Sequence, residues 1–271
     1  MPSPYAHYRF GSRMLPSFPG DVRRTIQRFR KLFDLGLYGP DVFYYATPLL
    51  KTNAGFLGIK YHEQSGKDFF IRVCRMLRLE RPEAGIAYLY GLLCHYCLDS
   101  LVHPFVLEQV AAGKATHVQI ETEFDRYLLE QDEKTPPHTQ DISPRMKLTP
   151  GEYDAVAKFY PPASGRDVQA AVKAMGVTLR LLAAPAGPRR KMVETAVNLT
   201  GKELKGMLMT IGPDPVCCDL NEQMLTLYEK AEAQMPELLQ QMLSHMTYGG
   251  PFGDEYLPPF CEGEKKEEDA Q

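Results

Sequence analysis

The stretch from Ile86 to Val102 is the most apolar part of the chain, yet His95 and Asp99 interrupt it and His103 follows it directly. A transmembrane helix needs about 20 residues with few or no charges, so this segment is expected to be a helix buried in a bundle. Apolar positions also recur every three to four residues in many other segments, while period-two alternation is hard to find. The pattern predicts an all-α protein with helices at about 20–35, 64–79, 82–112, 115–131, 151–159, 166–182, 188–209 and 218–246. Thr149-Pro150-Gly151-Glu152 reads as a capping box with Pro at the first helical position. A loop rich in Gly, Pro and aromatics, 37–61, holds Gly39-Pro40-Asp41, and loops of this kind often carry function.

No long linker divides the chain, and the later helices have apolar stripes that must pack on something. The expected organisation is therefore one multi-helix domain over 1–261, with the chemistry within 1–130 and a helical packing half at 149–247. The charged tail 262–271 is expected to be disordered. Net charge is −3 over 271 residues, so no global positive field exists to hold nucleic acid, and stable binding of it is not expected. The six cysteines show no framework spacing and are read as reduced thiols. Polar residues near the N-terminus leave no secretory signal to read, which makes the cytoplasm the expected compartment. The chain contains no GxSxG, P-loop or dinucleotide fingerprint, and none of its histidines is followed directly by Asp.

His95, Asp99 and His103 stand at i, i+4 and i+8, which places them on one helix face. His117 and Glu121 repeat the spacing on the next helix, with Asp125 one turn further along the same face. Imidazole and carboxylate are the ligand types of zinc and similar ions. At 1.5 Å rise per residue, His95 and His103 lie about 12 Å apart along the axis, too far to share one ion easily. Asp99 sits midway with two oxygens, so the economical arrangement is a cluster of two or more metals with Asp99 as a bridge. Clustered ions of this kind suit phosphate-ester hydrolysis. Unpaired polar groups inside an apolar helix would cost several kcal/mol, so something has to compensate His95 and Asp99.

The run from Ala87 through His95, Asp99 and His103 to Pro104, followed by His117-x-x-x-Glu121, resembles the zinc-dependent phospholipase C family. That family shares an all-α fold and a trinuclear zinc site with the S1/P1 nucleases. Ala6-His7-Tyr8-Arg9-Phe10-Gly11, the stretch Leu35 to Asp41, and His62 match further pieces in the right order. The resemblance implies that Asp41, His62, His95 and Asp99 hold a first zinc, and that His103, His117 and Glu121 hold a second. Asp99 would bridge to a third, completed by His7 and the amino terminus. It also makes Asp41 the catalytic candidate as general base. A metal ligand has little freedom to accept a proton, so hydroxide generated by the metals is preferred as the nucleophile.

The chain departs from the family in two places. Secreted members begin with a Trp that binds zinc, whereas this sequence contains no Trp, so two or three ions are expected. Loss of Met1 would expose the secondary amine of Pro2. Val42 follows Asp41 where an aromatic is expected, which leaves Phe43, Tyr44, Tyr45 and Phe56 as substrate-wall candidates and gives no support for choline recognition. The implied partner is a phosphate-ester substrate, with a phospholipid head group as one candidate. The alternatives are a nuclease or nucleotidase acting at the same site, and a non-catalytic metal-binding scaffold.

Overall fold

The computed structural model describes residues 4–46, 54–80, 82–144, 146–199 and 205–261, except for the side chains of Ala54 and Gly55. The helices are α1 (Pro4–Met14), α2 (Gly20–Arg28), α3 (Arg30–Gly36), α4 (Ala54–Glu63), α5 (Gly66–Glu80), α6 (Glu83–Ala111), α7 (His117–Gln131), α8 (Pro150–Ala157), α9 (Gly165–Leu182), α10 (Pro188–Asn198) and α11 (Asn221–Tyr248). Among the described residues there is no strand, only one antiparallel bridge between Ser65 and Pro259. The fold is all-α.

Helix α6 is the axis of the bundle. Its residues are apolar on every side, so it is stable only when other helices cover it all round. Helices α3 and α11 pack along it, and α1, α2, α5, α7 and α8 complete the cover. By length and composition α6 could cross a membrane, but 83% of its most apolar window is buried inside the protein. Two glycines set the closest crossing. A Cβ on Gly91 would overlap the Phe33 carbonyl, and one on Gly36 would overlap the carbonyl of Tyr88, so α3 and α6 meet backbone to backbone.

The second half of the chain closes the same core. Helix α9 packs on α8 and on a 3₁₀ segment, Gly39–Ala46, while α11 lies along α6. Capping boxes start α7 (Thr116 with Gln119), α8 (Thr149 with Glu152) and α9 (Ser164 with Asp167). Each box satisfies backbone N–H groups that a helix start otherwise leaves open. Glu123 ties the halves together from inside the protein. Its carboxylate accepts from Arg126 Nε and Nη2 at 2.8 Å, from the Asp214 backbone N–H at 3.1 Å and from Asn221 Nδ2 at 3.0 Å.

Several boundaries differ from expectation. The helix expected over 20–35 breaks at Phe29 (φ −121°, ψ 40°), whose N–H closes α2 on Thr25. Helix α1 forms where no helix was expected, its polar side chains facing carboxylates of Asp99 on α6, Asp132 just past α7 and Glu232 on α11. Helix α4 forms inside the segment read as a loop, despite Gly55 and Gly58, under cover of the 3₁₀ segment. Helix α10 ends at Asn198, short of the expected 209, and residues 200–204 lie outside the described set. Helix α11 runs past 246 to Tyr248 and stops where Gly249 turns left-handed (φ 74°). Met1, Pro2 and the tail 262–271 also lie outside the described residues.

Candidate metal centre

Five elements deliver the titratable groups to one interior place. Helix α6 contributes His95, Asp99 and His103, and α7 contributes His117 and Glu121. His7 comes from the first turn of α1, Asp41 from the 3₁₀ segment and His62 from the end of α4. Seven of these side chains belong to residues no more than 5% exposed, and His117 is little more open. Their donor atoms form two groups, each with mutual distances within 4.8 Å: His7, Asp41, His95 and Asp99, and His103, His117 and Glu121. His62 joins the first through Asp41, with Nε2 2.8 Å from Oδ1.

Asp99 connects the two groups. Its Oδ1 lies 3.1 Å from His7 Nε2 and 3.8 Å from His103 Nε2. Its Oδ2 lies 3.0 Å from His95 Nε2 and 3.9 Å from His62 Nε2. In the other group, Glu121 Oε1 is 3.2 Å from His103 Nε2 and 3.1 Å from His117 Nε2.

The imidazoles are held in one tautomer from outside the cluster. His62 Nδ1 donates to the Gly58 carbonyl at 2.7 Å, His95 Nδ1 to Leu37 at 3.2 Å and His103 Nδ1 to Phe260 at 2.7 Å. A carbonyl can only accept, so each Nδ1 carries a proton and each Nε2 is turned inward, where it can offer its lone pair to a cation. Ligating histidines show this same anchoring of the far nitrogen. The inward atoms His62 Nε2, His95 Nε2 and Asp99 Oδ2 have no hydrogen bond of good geometry, although such groups are normally paired when buried. A divalent cation fits this donor set: neutral imidazole nitrogen and carboxylate oxygen, oriented and desolvated in advance.

Electrostatics agree with that fit. Burial works against charge on Asp99, but His103, His95 and His7 hold its carboxyl well below the ordinary range. Glu121 is likewise held well below, burial being outweighed by His117 and His103 among its neighbours. Asp41 is lowered by His95 and His62 against the opposing effect of burial. Three ionised carboxylates in a dry interior require positive charge beside them.

Gly39 allows the approach of the loop to His95. Its φ is +49°, and a Cβ there would sit 2.8 Å from His95 Nε2. The Gly39-Pro40-Asp41 turn thus needs glycine both for its backbone and for the imidazole it faces.

Asp125 takes a different part from its neighbours on α7. Its carboxylate accepts from the backbone N–H groups of Tyr5 (3.0 Å) and Ala6 (2.8 Å), capping α1 from another helix just ahead of His7. One turn pair later, Asp132 holds Arg9 through two bonds, at 2.8 and 3.0 Å, and accepts from the Tyr5 hydroxyl at 2.6 Å. Asp125 therefore positions the His7 backbone. Burial pushes its pKa up to about 7 despite the two N–H bonds. A carboxyl raised above its unfolded value of 3.8 stabilises the fold fully below that pH, and this contribution is lost as pH rises towards 7. Asp125→Ala leaves two buried N–H groups without acceptors and is expected to cost about 2–4 kcal/mol in urea denaturation. In chelator-treated protein, Asp125→Asn is expected to flatten the fall in stability between pH 4 and pH 7.

The expected substrate wall is corrected in part. Phe43 is fully buried and meets Tyr160 edge to face, so it belongs to the core. Tyr45 is buried too and lines a small cleft with Asp125 and His138. Tyr44 is partly exposed beside His62, its hydroxyl 3.2 Å from Nδ1, and Phe56 is 66% exposed. His138, in a proline-rich stretch, is only 5% exposed, and its pKa is lowered by burial and by Arg190. Sequence reasoning missed the last described segment, Pro258–Cys261. It reaches the site by backbone contacts: the Gly66 N–H donates to Pro258 O at 3.1 Å and the Cys261 N–H to His62 O at 3.0 Å.

Fold and site together define an all-helical metal-dependent hydrolase, its donors gathered by one central helix and its neighbours. The family model for zinc dependent phospholipase C matches residues 6–158, more than half of the chain, and the chain belongs to that family. The match reaches through α8, beyond the segments that carry the sequence motifs. No curated protein and no solved structure matches the chain.

Proposed function

We propose that the protein hydrolyses phosphodiesters, with zinc held by two linked groups of residues. Asp41, His62, His95 and Asp99 would hold one ion, and His103, His117 and Glu121 a second. His7, on the other side of Asp99, is the described residue available to a third. The observation that carries this reading is the placement of Asp99, whose two oxygens face imidazoles of both groups. When bound, the ions supply Lewis acidity and activation of water for attack at phosphorus.

The chain's own residues do the rest. Backbone carbonyls hold the rings of His62, His95 and His103 in fixed orientation with Nε2 turned to the centre. Asp41, held ionised by its imidazole neighbours, is a weak base and serves better as a ligand. Because His62 Nδ1 carries a proton, the Tyr44 oxygen can only accept there, which leaves the Tyr44 O–H to donate elsewhere. Burial and the nearby Asp41 charge keep that phenol protonated. It is a donor at the rim for a non-bridging phosphate oxygen, with a phospholipid head group as the favoured substrate class.

The test pairs elemental analysis with assays on bis(p-nitrophenyl) phosphate, a short-chain phosphatidyl lipid and single-stranded DNA. The expected result is two or three zinc ions per chain, turnover of the first two substrates, and loss of turnover on chelation. Bound zinc without turnover of any of the three would reject the proposal in favour of a metal-binding scaffold. Cleavage of DNA alone would reject the lipid assignment.

A further inference from the structure

The cleft lined by Tyr45 touches three of the elements that build the metal centre. Pro4 lines it one turn ahead of His7 on α1, Tyr45 follows Asp41 on the 3₁₀ segment, and Asp125 stands one turn past Glu121, about 6 Å along α7. Its far side comes from the second half of the chain, with Leu179 and Leu182 from the end of α9 and Met207 and Met209 from the stretch ahead of α11. These four residues lie beyond 158, outside the segment that the family model matches. The cleft therefore joins the centre to walls that the family motifs do not carry.

Two polar atoms of the cleft are unanswered. Tyr45 is 3% exposed and His138 5%, both line the cleft, and neither Tyr45 Oη nor His138 Nδ1 has a hydrogen-bond partner among the described residues. Buried hydroxyls and imidazoles are normally paired, so two such atoms left open in one cleft mark a place for a ligand. No Lys or Arg lines it, and Asp125 spends both carboxylate oxygens on the N–H groups of Tyr5 and Ala6, so the place suits a neutral group. The leucines and the adaptable methionine thioethers make the opposite wall apolar. Its volume is about 40 Å³, room for roughly three water-sized atoms. An ester group has that size, and in a phospholipid the glycerol esters follow phosphorus by a few bonds, a span like the one helix turn from Glu121 to Asp125. We propose that this cleft binds a glycerol ester on the alcohol side of the substrate, with Tyr45 Oη and His138 Nδ1 supplying the hydrogen bonds to its carbonyl oxygen. This inference rests on the phosphodiesterase reading above. The cleft then selects acylated phosphodiesters by a part of the molecule that the metal centre does not touch.

The experiment follows isotope-labelled methionine methyl groups by NMR in the full-length, zinc-loaded protein while dihexanoylglycerol, which carries both esters and no phosphate, is added. Met207→Leu and Met209→Leu assign the two reporting signals. These signals are expected to shift saturably, while those of Met224, Met235 and Met242, buried on α11, stay in place. Ala183→Phe, which fills the cleft from its partly exposed rim, is expected to abolish the shifts. Tyr45→Phe, which removes one hydroxyl, is expected to weaken binding at least threefold. In both variants the ratio of kcat/KM for the short-chain phosphatidyl lipid to that for bis(p-nitrophenyl) phosphate is expected to fall at least fivefold. No saturable shift at Met207 and Met209, or shifts that persist in Ala183→Phe, would overturn the ester site and leave the cleft to water, whether or not lipid is hydrolysed. Saturable shifts in a protein that turns over no phosphodiester would uphold the ester site and reject the hydrolase reading.

Discussion

Asp99→Asn is expected to lower phosphodiester turnover by roughly 10³-fold or more, since it removes the one carboxylate that faces both donor groups. The change is nearly isosteric, so α6 should keep its place and the helical circular dichroism should stay that of the parent. What disappears is a charge. His7, His95 and His103 all lean on Asp99 electrostatically, and an amide offers one acceptor oxygen and a pair of unwanted donors in its stead. Metal content should fall along with turnover. Activity within tenfold of the parent, at unchanged metal content, would show that Asp99 is not shared between ions.

Gly91→Ala is expected to destabilise the protein by about 3 kcal/mol, the upper range for forcing added volume into a packed core. The new methyl group would meet the Phe33 carbonyl, with the Gly36 Cα and the Leu37 backbone N only 3.0 Å away, and all three are backbone atoms that cannot swing aside. Gly176→Ala provides the contrast. There a Cβ would meet only the far end of Arg180, at 3.4 Å, inside helix α9, where alanine is the better helix former by about 0.5–1 kcal/mol. Urea denaturation of the two variants should move in opposite directions. A Gly91→Ala midpoint equal to the parent's would mean that α3 and α6 can separate at little cost, and the close crossing would lose its importance for the site.

The candidate donors on α6 and α7 were legible because a helix converts spacing into direction. His95, Asp99 and His103 must share a face once the segment is helical, and the apolar residues around them show that the face is interior. Rise per residue separates His95 from His103 with Asp99 between them, whereas the sorting of the other donors into two groups came from the family resemblance. Asp125 was placed on the right face, but sequence spacing gives no hint that its carboxylate reaches the backbone of Tyr5 and Ala6, 120 and 119 residues away. Phe43 and Tyr45 were misplaced for a related reason. Adjacent aromatics in a 3₁₀ segment point in different directions, and tertiary packing decides which one meets the core.

The contribution of Phe260 was invisible because a backbone carbonyl has no sequence signature. Helix α1 was passed over because its polar residues Tyr5, His7 and Arg9 are answered by carboxylates on α6 and α7, a match that no local pattern reveals.

The anchoring of His103 on Phe260, 157 residues later in the chain, sets the order of events during synthesis. All eight candidate side-chain donors have left the ribosome once residue 121 has emerged, but the imidazole of His103 gains its orienting carbonyl only after residue 260 has followed. An early metal ion would meet donors whose geometry is incomplete. A geometry complete for coordination therefore waits on residue 260, and a metal bound there would fasten segments as distant in sequence as His7 and Phe260 around a single point.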